Sequence, residues 1–354
     1  MQGHGAWIHG VGMTTPLGLR AAATAAAVRG GISRLRESSI INRKGAPMIL
    51  ATLADADLPP LAPELARRPD LTSRQLRMLR LATHALQEAA SALVPGACPP
   101  LLLAGPEPHP KKPAPQLSEG FLELLALQTG VSLDQGRSEA SSRGRAGGLE
   151  LLGRAMGLLH SRRATSVLVG GVDSHLDTGL LGVLDEEGRV HADEVLDGFV
   201  PGEGAGFLLL SSRRVLPTST ALAFVSTPGT GVEQGHRYSV EPYLGNGLAD
   251  AIRAAVGGSS GLSIQTVLAS FNGESFGGKE WGVAFIRNRE AFHPELRMEH
   301  PADCFGDLGA ACGPVLVGLA VLGLKKGYLP GPCLAWCSSE GAPRAAALVS
   351  SEPV

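Results

Sequence analysis

The segment Gly202-Glu203-Gly204-Ala205-Gly206 constrains this chain more than any other. A dinucleotide-binding loop also clusters its glycines, but it needs a strand before it and a helix after it. Here the cluster runs into Phe207-Leu208-Leu209-Leu210, which reads as a buried strand. The glycines therefore mark a tight turn or a close approach of backbone rather than a phosphate cradle.

Composition points the same way. The 354 residues include 47 glycines and only 4% aromatics, so Ala, Leu and Val must fill the core around many tight turns. Hydrophobic residues at 44% and charged residues at 18% exclude a disordered chain. A formal net charge of −2 argues against a nucleic-acid-binding face. Cys98, Cys304, Cys312, Cys333 and Cys337 make no disulfide framework. Met1 to Gly18 has no basic stretch followed by an apolar one, and the apolar run Gly313 to Leu324 is too short to span a bilayer. The expected setting is cytoplasmic, with no membrane contact.

Along the chain, strands alternate with helices. Strands are expected at Ala6–Gly12, Leu101–Ala104, Ser166–Gly171, Phe207–Leu210, Leu222–Ser226, Thr266–Phe271 and Ala345–Ser350. Helices are expected at Arg20–Arg29, from Thr72, at Phe121–Thr129, Gly147–His160, Leu248–Val256 and Gly313–Leu324. Arg36 to Leu71 reads as irregular, and the proline-rich stretch Pro106 to Pro115, with Lys111 and Lys112, as an exposed loop. After Arg213-Arg214 the chain begins again. The element order fits two α/β halves, residues 1–215 and 216–354.

Several segments together resemble the β-ketoacyl synthases (ketosynthases) of the thiolase superfamily. Gly10 to Gly18 is similar to the family's opening strand and turn, and Asp197-Gly198-Phe199-Val200-Pro201-Gly202-Glu203-Gly204-Ala205-Gly206 to its DGFVxGEGAG motif. Arg145 to Gly171 aligns on the helix that carries the nucleophile and on the strand ending in Gly-Gly. Gly306 to Gly313 resembles the late glycine-alanine turn. The resemblance implies a thiolase-like α/β fold of five layers, αβαβα, in two pseudo-twofold-related halves, normally dimeric. It also implies condensation of acyl and malonyl thioesters by a Cys and two His residues, supported by a Lys and a gating loop, without a cofactor or metal.

The chemical positions depart from that pattern. The Cys position holds Arg145, which has no accessible nucleophilic form. The two His positions hold Asn272 and Asp307, with Glu274 where a Thr is usual. The Lys position is Ala302, and the gating loop falls on Ser338-Ser339-Glu340-Gly341-Ala342. No Cys lies between Cys98 and Cys304, so no shift of register restores a nucleophile. His160 and His175 lie beyond the helix and the strand. The structural turns remain, with Gly198, Phe199, Gly202, Glu203, Gly204 and Gly206 all in place.

Other chemistry is weakly signalled. Ser141 and Ser142 lack a partnering base and read as a polar strand end at a dimer seam. Cys333 and Cys337 have no second pair for zinc, and His300, Asp303, Cys304 and Asp307 share only proximity in sequence. Asp185-Glu186-Glu187 beside Arg189 reads as a solvated loop. The expected function is a catalytically inactive ketosynthase-like partner or adaptor, similar either to chain-length factors or to accessory proteins of secretion-effector clusters. The alternative is a residual decarboxylase or acyltransferase. Expected partners are a second copy or a ketosynthase-like chain, with an acyl carrier protein or a secretion effector as further candidates. A buried Arg145–Asp307 ion pair, with Asn272 or Glu274 taking the remaining donors, is the expected replacement for the catalytic site. The competing arrangement turns Arg145 out to solvent or pairs it with Glu139.

Overall fold

The structure is a computed structural model that describes residues 5–113, 116–192, 194–257 and 261–354. The first half comprises β1 (Gly5–Thr14), α1 (Ala21–Arg29), a hairpin of β2 (Arg36–Ile41) and β3 (Pro47–Leu50), α2 (Ser73–Ala90), β4 (Leu101–Ala104), α3 (Phe121–Thr129), β5 (Glu139–Ser141), α4 (Gly144–His160), β6 (Ser166–Ser174), α5 (Thr178–Glu186) and β7 (Glu203–Ser211). A small hairpin, β8 (Val215–Leu216) and β9 (Ser219–Thr220), follows it. The second half comprises β10 (Ala223–Ser226), β11 (Gly229–Val232), α6 (Asn246–Val256), β12 (Ile264–Ala269), α7 (Ser275–Arg287), β13 (Phe292–Glu299), α8 (Ala302–Phe305), α9 (Cys312–Lys325), β14 (Cys333–Ser338) and β15 (Pro343–Ser350).

The two halves repeat one topology. In the first, the strand order is β5-β4-β6-β7-β1, with β4 parallel to β5 and β6, and β7 antiparallel to both its neighbours. In the second it is β13-β12-β14-β15, with β10 and β11 both on β15 and the same pattern of directions. Antiparallel pairing of β1 with β10 joins them.

Burial explains the layers. Helix α9, CGPVLVGLAVLGLK, is apolar on all sides and buried along nearly its whole length, as a helix between two sheets must be. With α4 it forms the middle layer, in one core with inward residues of both half-sheets such as Val169, Leu208, Ala335 and Ala347. The helices pack closely because Gly148 has no side chain; a Cβ there would lie 2.4 Å from Pro314. Helices α2 and α3 cover the outer face of the first half-sheet, and α6 and α7 that of the second. The result is the five-layer αβαβα arrangement.

Some elements were hidden in the sequence. Residues 36–50 are not irregular but form the β2–β3 hairpin. Helices α5 and α7 contain two and three glycines, which cost about 1 kcal/mol each relative to alanine and blur the periodic signal. Position-specific caps compensate: Asp177 accepts the Leu180 N–H at 2.7 Å, and Asp197 accepts that of Ser275 at 2.6 Å. The proline-rich loop after β4 is not simply exposed either, because His109 is buried and Glu107 turns inward. Its residues Ala114 and Pro115 lie outside the described residues.

A charged cluster at the junction of the halves

Arg145 is the second residue of α4, whose N-cap residue, Arg143, makes no side-chain cap. The other half supplies one. Ser339, after β14, accepts the Ala146 N–H at 3.0 Å and donates to the Arg143 carbonyl at 2.5 Å. A cation at a helix N-terminus is unfavourable by roughly 0.3–1 kcal/mol, so Arg145 needs anionic partners.

It finds two. Its Nε donates to both Asp307 oxygens at 3.0 and 2.9 Å, and its Nη2 also donates to Asp307. Nη1 donates to Glu340 at 2.8 Å. Asp307 further accepts from Asn272 Nδ2 at 3.0 Å and from the Gly309 N–H at 2.8 Å. Arg189, in the turn after α5, holds Glu274 by two bonds of 2.8 Å and donates to Glu340 at 3.0 Å. Arg237, in the loop between β11 and α6, lies 3.1 Å from Glu274 and 3.4 Å from Glu340. Three guanidiniums thus face three carboxylates, with Arg145 and Arg189 from the first half and Asp307, Glu274, Glu340 and Arg237 from the second.

The glycine motif positions this cluster. Around it, the Gly202 N–H donates to the Asp307 carbonyl at 3.0 Å and the Asp307 N–H to the Val200 carbonyl at 2.8 Å. A Cβ at Gly202 would lie 2.7 Å from the Phe305 carbonyl oxygen and 2.9 Å from that of Asp307. The Phe199 N–H donates to the Arg189 carbonyl at 2.8 Å, and the Arg189 guanidinium lies over the Phe199 ring. Glu203 is fully buried and binds Arg77, Ser174 and the Leu53 N–H. Gly198 and Gly204 face backbone of Arg189 and Thr14, and Gly206 packs on α9. This is close backbone approach.

Burial alone would raise the Asp307 carboxyl, but the Arg145 guanidinium outweighs it and holds the group at about 2. Burial also opposes ionisation of Glu340, and Arg145 and Arg189 together hold it well below the usual range. Both are therefore carboxylates, acceptors only. Arg145 and Glu340 line two small cavities, of about 60 Å³ towards His175 and Tyr238 and about 30 Å³ towards Asn272 and Trp336. Their ion pair is the partition between them.

The structure brings Arg145, Asn272, Asp307 and Glu340 together. Ala302 opens α8 and lines a minor cavity with Asn272 and Asp307. The remaining donors divide differently from the sequence expectation: Arg145 gives its last one to Glu340, while Glu274 serves Arg189. Glu139 pairs instead with Arg154 at 3.0 Å. Arg189 does not belong to a solvated loop; it is 5% exposed. His300 pairs with Asp303 at the surface, away from buried Asp307, and among the described residues no three His, Cys, Asp or Glu side chains converge on a metal site. Cys333 and Cys337 are buried strand thiols, the former pushed up to about 12 by burial. Ser141 ends β5. Among the described residues no helix is long and apolar enough to cross a membrane. Sequence reasoning missed Arg237, Tyr238, Glu107 and the capping role of Ser339, which lie in loops that carry no periodic signal.

No protein-family model matches the chain, and no curated protein matches it. Solved structures do. It is similar to a chain of a type II polyketide synthase acyl carrier protein in complex with its ketosynthase bound to the hexaketide, at 17% identity and a TM-score of 0.76 over 99% of this chain and 100% of that one. It is similar to the ishigamide ketosynthase/chain length factor at 16% identity and a TM-score of 0.75, over 99% and 100% of the two chains. It is likewise similar to a ketosynthase in complex with its chain length factor from Xenorhabdus doucetiae, at 17% identity and a TM-score of 0.74, over 99% and 98%. These likenesses establish the fold: the chain has the thiolase-like α/β fold of the ketosynthases.

Proposed function

We propose that this chain is a non-catalytic ketosynthase-like protein that acts as the partner subunit of a ketosynthase, in the manner of a chain-length factor. The observation that carries the reading is Arg145 at the start of α4, bound to Asp307 and Glu340. A guanidinium in that place cannot accept an acyl group. Asp307 and Asn272 stand where decarboxylation needs two imidazoles. An ionised Asp307 would repel the negative charge that develops on an enolate rather than stabilise it. The two cavities at the cluster are too small for an acyl chain, and the ion pair closes the way between them.

The open edge of β5 supports a partner. Among the described residues it pairs with β4 alone, it is short and polar, and its outer side can continue the sheet into another chain. The other chain is a second copy or a ketosynthase-like subunit, and two of the similar solved structures are described as a ketosynthase with its chain length factor. An acyl carrier protein, named in another, would then reach the assembly through the active subunit. Release of CO₂ from a malonyl thioester tests the reading. The expected result is no release by this chain alone, with release only when an active ketosynthase is present. Turnover by the chain alone would establish the residual decarboxylase in its place.

A further inference from the structure

One half-buried carboxyl group near the cluster has no ion-pair partner among the described residues. Glu107, in the loop after β4, accepts the Glu340 N–H at 2.9 Å and the Gly341 N–H at 2.8 Å. These bonds use two of roughly four lone-pair sites on a carboxylate. The described cations around it are committed elsewhere: Arg74 to Asp173 at 2.8 Å, Lys112 to Asp177 at 3.0 Å, Arg143 to Glu150 at 2.5 Å, Arg145 to Asp307 and Glu340, Arg189 to Glu274, and Arg237 to Glu274 and Glu340. These six cations face seven carboxylates, and Glu107 is the surplus one.

Glu107 also stands between two cavities. One is the 60 Å³ space beside Arg145; the other, of about 160 Å³, is bounded by Thr72, Gln75, Lys112 and Asp177. Arg74, Glu107, His109 and Leu180 line both. Most residues around the larger cavity, Thr72, Gln75, Lys112 and Asp177 among them, carry polar side chains, so a ligand there can hydrogen-bond along its length.

We propose that these adjoining cavities form a binding site for a small primary amine with a hydroxyl- or amide-bearing tail, its ammonium group on Glu107. The ammonium supplies the missing positive charge in a charge-assisted bond to the carboxylate. The tail occupies the larger cavity, within reach of Thr72 and Gln75. Burial, reinforced by the charge of Glu340, raises the Glu107 pKa, so without a cation the group takes up a proton more readily than an exposed carboxylate does. Binding of the cation favours the carboxylate and expels that proton. Arg145, Arg74 and Lys112 also face this space; each keeps its own carboxylate throughout. The site is independent of whether the chain partners a ketosynthase.

Ethanolamine and glycinamide serve as probes, with ethylene glycol and acetamide as uncharged controls, in calorimetric titration of the full chain near pH 6. At least one amine is expected to bind, the controls are not, and Glu107→Gln should weaken amine binding at least tenfold. Repeating the titration in two buffers of different ionisation enthalpy should reveal proton release, a readout that does not depend on the variant folding. Equal binding of amines and controls, undiminished binding by Glu107→Gln, no proton release, or no binding at 10 mM of any probe would overturn the proposal.

Discussion

Replacing Asp307 by alanine removes the centre of the charged cluster. Four donors lose their acceptor at once: Arg145 Nε and Nη2, Asn272 Nδ2 and the Gly309 N–H. Arg145 keeps Glu340 and Asn272 keeps Glu274, so neither is wholly orphaned. The Arg145 and Asp307 side chains are 9% and 2% exposed, so water cannot take the lost partner's place. Breaking a buried pair of this kind costs about 3–5 kcal/mol. Asp307→Asn, which keeps one acceptor and the shape, should cost about 1.5–3 kcal/mol, the value of a charged hydrogen bond. Urea unfolding at pH 7, followed by fluorescence and far-ultraviolet circular dichroism, gives both losses as midpoint shifts at constant slope. The double variant Arg145→Met with Asp307→Leu removes both charges and should recover at least half of the alanine penalty. A loss below about 1 kcal/mol for Asp307→Ala, or strict additivity in the double variant, would refute the reasoning.

Three further outcomes are expected. The native Asp307 and Glu340 carboxyls titrate below their unfolded values of about 3.9 and 4.3, so the stability they contribute is present in full above about pH 5. It is lost as pH falls through 4 towards 2, and urea midpoints that stay flat from pH 6 to pH 3 would count against the cluster. Gly202→Ala should cost about 1–3 kcal/mol, because its methyl meets the Phe305 and Asp307 carbonyls; thermal unfolding indistinguishable from wild type would show that this approach is not tight. Light scattering should find a dimer, alone or with a ketosynthase-like chain, through an interface of at least about 2,000 Å² if obligate; a monomer at micromolar concentration under both conditions would rule out pairing at β5.

How much of this was legible follows from what each element depends on. Helix α2 declared itself through Leu76, Leu79, Ala82, Ala85 and Leu86 at three- and four-residue spacing, and the structure adds a capping box of Thr72 and Gln75 at its start. Strands β4 and β6 read as short apolar runs bounded by prolines and glycines. Helix α7 did not, because Gly277, Gly278 and Gly282 dilute its pattern and its stability comes from packing Trp281 and Phe285 on the sheet. At the site, Arg145, Asn272 and Asp307 could be located because the turns around them are specific in sequence. Arg189 and Arg237 could not, since their partners Glu274 and Glu340 lie between 37 and 151 residues away and only the tertiary fold joins them. The inward turn of Glu107 was masked by its prolines, which read as a loop whichever way its side chains point.

The central claim is that the position from which ketosynthase chemistry starts is occupied by a salt-bridged arginine and holds no nucleophile. Intact-mass spectrometry after incubation with an excess of acyl-pantetheine thioester tests it most directly. The chain and its Arg145→Cys variant should differ: the wild type is expected to show only its unmodified mass, and the variant at most a stable acyl adduct that malonyl thioester does not discharge, since both imidazoles are absent. An acyl adduct on the wild-type chain, mapped to Ser141, Ser142 or any residue lining the cluster, would contradict the account.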